Sequence, residues 1–190
     1  MSPARKESKE EQQFEAWCIE AQEHGLVELY KCQPRTFGLI EAKTVKVLKQ
    51  LKTKSRLVDR HICRAHTYTP DFEIQLSEKG MELLASILEP STLVKDYCLY
   101  QRIYIDTKGS FTIQHGQSQM FSCNRKLMYE RHSIWVAKVV PAKFFMKTWC
   151  PERYRWKQNR KVPTPTKMGG MCRTAEEFIY AEKLHKGSLQ

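Results

Sequence analysis

The sequence predicts an α/β (α+β) fold, a mixed β-sheet with helices on its faces. Three observations carry this. Phe14, Trp17, Cys18 and Ala21 recur at helical spacing near the start of the chain. Runs rich in β-branched and aromatic residues occupy 99–105 and 134–140. Helical spacing returns at 78–88 and 120–131, so strands and helices are interleaved and the sheet must be covered. With 190 residues and 41% apolar composition the chain can bury one core of ordinary size. The division expected is a folded domain over 1–149 and a basic, aromatic tail over 150–190.

The first helix is expected over 9–23. Ser8 caps it, Glu11 closes a capping box three residues on, and Gly25 stops it. Strands follow at 26–30, ended by Gln33-Pro34, then at 37–40 and 44–48. Lys43, Lys46, Lys49, Lys52, Lys54, Arg56, Arg60 and Arg64 crowd one stretch, as a hairpin or a helix. A strand over 62–69 ends at Pro70, and 72–76 continues or neighbours it. Met81, Leu84, Ala85 and Leu88 give a short helix over 78–88 that Pro90 stops, and the segment 77–98 reads as an insertion. The strand at 99–105 closes at Gly109. A helix over 120–131 turns Phe121, Leu127 and Met128 inward and Arg125, Lys126 and Arg131 outward. A buried strand over 134–140 runs into a Pro141-Ala142 turn, and 144–149 continues as helix or strand. The tail holds Arg153, Tyr154, Arg155, Trp156, Lys157, Arg160 and Lys161, then prolines and Gly169-Gly170. A last helix over 174–184 is capped by Thr174, with Glu177 at its third position.

The formal net charge is +11, which favours an anionic partner, nucleic acid first among them. No apolar run approaches the ~20 residues that span a bilayer, so no membrane partner is expected. Seven cysteines without a C-x-x-C pair, behind a polar N-terminus, read as free thiols in a reducing cytoplasm. The histidines lack H-x-x-x-H spacing, and neither a G-x-S-x-G elbow nor a phosphate-binding P-loop occurs.

Two short stretches carry the chemistry. The first is His66-Thr67-Tyr68-Thr69-Pro70-Asp71-Phe72, the second Ile103-Tyr104-Ile105-Asp106-Thr107-Lys108-Gly109. A lone Pro-Asp is ordinarily a turn, and a lone Asp-x-Lys a solvated strand face. In this order and in a basic chain they make a P-D…D-x-K pattern in which Asp71 and Asp106 could share a metal ion. Asp106 and Lys108, two apart on a strand, emerge on one face. A divalent cation lowers the barrier to phosphodiester cleavage, and Mg²⁺ is content with two or three carboxylates. Lys108 could hold the attacking water or the charge developing on phosphate. DNA contacts are expected from Lys43, Lys46, Lys52, Lys54 and Arg56, from Arg125 and Lys126, and from Arg153, Arg155 and Lys157. Arg153, Tyr154, Arg155 and Trp156 could instead stack on single-stranded RNA, or simply cover a sheet edge.

These motifs resemble the PD-(D/E)XK nuclease superfamily and, more narrowly, the phage endonuclease I family that resolves Holliday junctions. The resemblance spans roughly residues 8 to 145 and extends to 137–144, where a strand runs into a Pro-Ala turn. It implies a restriction-endonuclease-like αβββαβ core, a Mg²⁺- or Mn²⁺-dependent endonuclease acting on branched DNA, a homodimer, and phage origin in a host cytoplasm. Asp71 and Asp106 would be metal ligands and Lys108 the orienting cation. A helix glutamate would complete the set: Glu11, from Ser8-Lys9-Glu10-Glu11, with Glu15 the alternative. The chain departs from the family in the long interval between Asp71 and Asp106, in having Asp at the second acid, and in the tail. A non-catalytic or RNA-directed binding protein on the same fold is the competing reading.

Overall fold

A computed structural model describes residues 8–88, 102–109, 117–157 and 164–187. Pro90, Cys98, Arg160, Lys161 and the later part of the expected insertion, 89–98, lie outside them.

Helix α1 spans Lys9–Glu23. The Ser8 hydroxyl oxygen accepts from the Glu11 N–H at 3.1 Å and donates to Glu11 Oε1 at 3.0 Å, so the expected cap forms. Gly25, at φ 67°, reverses the chain where a side chain would be strained. Six strands follow: β1 (Val27–Cys32), β2 (Phe37–Ile40), β3 (Lys43–Gln50), β4 (Ser55–Cys63), β5 (His66–Tyr68) and β6 (Phe72–Leu76). Then come α2 (Glu78–Leu88), β7 (Arg102–Thr107), α3 (Gln117–His132), β8 (Ala137–Val139) and α4 (Pro141–Lys147). Three shorter pieces close the fold: α5 (Glu152–Arg155), α6 (Lys167–Met171) and α7 (Ala175–Gly187).

The central sheet has the order β1-β6-β7-β8. Its first three strands pair antiparallel and β8 joins β7 in parallel. The sheet is therefore mixed, as expected, and helices cover both faces. On one face Phe14 and Trp17 of α1 pack with Phe72, Ile74, Ile105, Phe144 and Trp149. Phe14 stands edge-on to Phe72 at 5.0 Å and Trp17 to Phe144 at 4.8 Å. Pairs of this kind add ~0.5–1.5 kcal/mol beyond their burial. On the other face Tyr104 and Val136 meet Phe121 and Met128 of α3, with Phe37 and Leu39 of β2. The alternation of Ile103 and Ile105 with Tyr104 along β7 divides these residues between the two cores.

Several boundaries move. The strand expected over 62–69 is two strands: β4 ends at Cys63 and β5 begins at His66, because β4 pairs with β3 while β5 pairs with β2. The strand expected to end at 105 continues through Thr107, held by parallel pairing to β8. The expected strand over 134–140 shrinks to Ala137–Val139. Pro141 starts α4 rather than a turn, since its missing N–H costs nothing in a first helical turn.

The stretch after 149 is no loose tail where it is described. Cys150, Cys172, Ala175 and Phe178 are buried in the α1-side core, and Phe178 stacks near Trp149 at 5.4 Å. Gly169 lies against the Arg155 backbone so closely that a Cβ would fall 2.1 Å from the Arg155 carbonyl oxygen. The last helix carries the expected capping box: Thr174 N–H donates to Glu177 Oε2 at 2.8 Å, and Glu177 N–H to Thr174 Oγ1 at 3.2 Å. No described helix is long and apolar enough to cross a membrane.

Candidate active site

Pro70 ends the approach to β6 and places Asp71 one residue before it. Phe72 pairs with Ile105, so the antiparallel register sets Asp71 opposite Asp106 on one face. The two carboxyls touch. Both are buried, at 6% and 4% exposure. Asp71 Oδ2 accepts from Thr107 N–H at 2.8 Å and from Thr107 Oγ1 at 3.0 Å. Asp106 Oδ2 accepts from the Tyr68 hydroxyl at 2.7 Å, and Asp106 Oδ1 is ion-paired to Lys108 Nζ. Lys108 lies just past the end of β7, yet its ammonium returns to the same carboxylate, as the Asp-x-Lys spacing anticipates.

This arrangement is electrostatically uneven. Burial, then the contact and charge of Asp106, push the Asp71 carboxyl up from 3.8 to about 7, against the Thr107 N–H and the Lys108 charge, which pull it down. Two carboxylates crowded together, one of them holding its proton more tightly than usual, could take a divalent cation between them. Mg²⁺ binds through one or two carboxylates and keeps the rest of its shell as water or phosphate oxygens, so this donor pair fits it.

The expected third carboxylate does not join the pair. Among the described residues no three Asp, Glu, His or Cys side chains converge closely enough to hold a metal ion. Glu11 is buried at the start of α1 and tied to Ser8. Glu15 accepts the Cys32 thiol at 3.5 Å and lines a separate cavity of about 450 Å³ with Glu20, Glu23 and Arg153. The α1 carboxylate that shares a cavity with Lys108 is Glu10: Lys9, Glu10 and Gln13 face Lys108 and Pro141 across about 260 Å³.

The cations expected at DNA separate into two groups. Lys43, Lys46, Lys52, Lys54 and Arg56 are all exposed on the β3–β4 hairpin, which pairs only with itself. Lys126, Arg153 and Lys157 are exposed as well. Arg125 is not outward as expected: its guanidinium lies 4.0 Å from the Trp135 ring centroid and 5.3 Å from that of Phe121. Arg155 is structural. Its Nη1 donates to the carbonyls of Cys172 and Arg173 at 3.1 and 2.8 Å, fixing the chain between α6 and α7. Of the aromatic stacking set, Tyr154 packs on the core, and Trp156 donates to Glu152 Oε1 at 2.6 Å while staying 41% exposed.

Sequence reasoning gave no role to Tyr68 and Thr107, which hold the two carboxylates. The signal was present, since each lies within the motif stretches, but which side chain serves Asp71 and which Asp106 depends on register. No family model matches the chain, and neither the curated proteins nor the solved structures hold a match to it.

Proposed function

We propose that the chain is a metal-dependent DNA endonuclease with a PD-(D/E)XK-type, restriction-endonuclease-like core, acting on branched or otherwise structured DNA. The observation that carries this is the Asp71–Asp106 contact across β6 and β7, with Lys108 on Asp106. The element order α1, β1, β6, β7, α3, β8 supports the fold assignment, since it is αβββαβ once the inserted strands and α2 are set aside.

Asp71 and Asp106 would hold Mg²⁺, or Mn²⁺ in its place. The ion supplies charge neutralisation at the phosphate and a lowered pKa for bound water. Thr107 fixes the orientation of Asp71, and Tyr68 fixes that of Asp106. Lys108 shares its charge between Asp106 and the attacked phosphate, where negative charge grows. The hairpin cations hold the DNA backbone without reading sequence. Cutting two opposed strands of a junction in one encounter requires two copies, so the active form on junctions is a homodimer.

The test is cleavage of a four-way junction, a linear duplex and single-stranded DNA side by side, with Mg²⁺ and with EDTA. Paired symmetric cuts on the junction that vanish in EDTA are expected. Equal cutting of all three substrates would reduce the reading to a general nuclease. Tight DNA binding without cleavage in any metal would leave the non-catalytic binding protein.

A further inference from the structure

Phe121 of α3 stands among three cations, of which the two-carboxylate chemistry uses one. Lys108 Nζ lies 5.7 Å from the ring centroid, Lys138 Nζ 5.9 Å and Arg125 Cζ 5.3 Å. Lys108 has Asp106 as its counter-ion. Among the described residues neither Lys138 nor Arg125 has a carboxylate partner. Arg125 Nε is buried without a hydrogen-bond acceptor.

Lys138 is placed by the sheet. It pairs with Asp106 across the parallel β7–β8 ladder, so both side chains leave the same face. Adjacent strands lie ~4.8 Å apart, which puts the root of the Lys138 side chain one strand from the carboxylate pair. Cations held around one ring repel across distances within a Debye length of about 10 Å. The ring offsets only ~0.5–1 kcal/mol per cation at an exposed site. An anion among them relieves the repulsion, and its nearest chemistry is the Asp71–Asp106 pair.

We propose that Lys138 is a second phosphate-binding cation of this site. Its ammonium donates to a non-bridging oxygen of the phosphodiester being cleaved, with Phe121 as the post that aims it and Arg125 as a fixed positive wall behind. The inference rests on the endonuclease reading above and adds a residue that the P-D…D-x-K pattern does not contain.

The test compares the full chain with Lys138→Met, which keeps the apolar stem against Phe121, and Lys138→Arg, which keeps the charge. In Mg²⁺, Lys138→Met is expected to lower kcat/KM on the cleaved DNA by about 10²-fold, while Lys138→Arg stays within about tenfold. In EDTA, where nothing is cut, the slope of log affinity against log salt should fall by about 0.9 for Lys138→Met alone, one phosphate contact. The rise in Tm on adding Mg²⁺ should be the same in all three proteins. Wild-type cleavage with Lys138→Met equally fast and equally salt-dependent would overturn the proposal. Equal impairment of both variants with a lowered Tm would also overturn it, by making Lys138 a packing residue. If the wild type cuts no DNA, the endonuclease reading fails, and the salt slope in EDTA still decides whether Lys138 meets a phosphate.

Discussion

The four-stranded body and the β3–β4 hairpin are built on opposite terms. In the body, acids are buried against each other, and every oxygen named at Asp71 and Asp106 has a donor. In the hairpin, cations project into water and apolar side chains go uncovered: Leu48 and Leu57, paired across the strands, are each 66% exposed. A two-stranded ribbon alone is marginal in water. Here it also carries lysines and arginines opposed within it by Asp59 alone. The body thus holds charge that burial disfavours, and the hairpin holds surface that burial would favour. On the proposed reading one region would serve the reaction and the other a polyanionic partner, so affinity and cleavage should separate when each is altered.

The sharpest separation is expected at Asp106. Asp106→Asn keeps the shape but weakens the ion pair to Lys108 and the proposed metal site. Cleavage should fall by about 10³-fold or more, on the scale of losing a metal's charge stabilisation. Affinity for the same DNA in EDTA should stay within about twofold. A parallel loss of binding would break the division between the two regions.

The converse change is in the hairpin. Neutralising Lys46, Lys52, Lys54 and Arg56 together removes up to four phosphate contacts, flattening the salt slope by up to about 3.6 and weakening binding by about 10²-fold or more near 0.1 M salt. At saturating DNA the cleavage rate should be close to that of the unaltered protein. A saturating rate that drops as far as the affinity would place these cations in the reaction itself.

How much of this was legible follows the same division. Asp106 and Lys108 could be read because their spacing is a strand spacing, and the strand period fixes which side chains share a face. Asp71 was legible only as the Pro-Asp member of the motif, and the β6–β7 register sets it opposite Asp106. The basic stretch at 43–64 was legible as charge, and its hairpin form was left open against a helix, since no hydrophobic face chose between them. Two other things were hidden. Glu11 has the capping-box position that the motif reading also wanted, and one sequence pattern serves both ends. Arg155 and Arg125 sit in runs of basic and aromatic residues whose composition matches a nucleic-acid surface. Only tertiary contacts show that Arg155 holds carbonyls and Arg125 lies against rings. Composition reports charge; it does not report what the charge faces.

Arg155 offers a smaller test of that boundary. Arg155→Ala removes two charge-assisted hydrogen bonds to carbonyls, worth roughly 1.5–3 kcal/mol together where the group is largely buried. The midpoint of denaturant unfolding should drop while DNA affinity holds. If affinity falls and stability does not, Arg155 belongs with the hairpin cations, and the region after 150 is a binding surface as its composition suggested.

At Asp71 the sign of the stability change is the informative part. The carboxyl is held at about 7 in the folded chain against an ordinary 3.8, so the folded state binds the proton more tightly. That contribution to stability is fully present below pH 3.8 and is lost as pH rises through about 7. Asp71→Asn reproduces the protonated group: its carbonyl oxygen can still accept from Thr107, and its NH₂ can donate to Asp106. Below pH 3.8 the variant and the parent should melt close together. At pH 8 the variant should be more stable by on the order of a few kcal/mol, each worth roughly 2–4 °C in Tm for a chain of this size. Mg²⁺ should raise the Tm of the parent at pH 8 and leave that of the variant nearly unchanged, because the charge that attracts the ion is the charge that burdens the apo fold. A variant less stable than the parent at both pH values would mean that Asp71 is a structural hydrogen-bonding group, and the body would lose its claim to carry a reaction at the expense of its own stability.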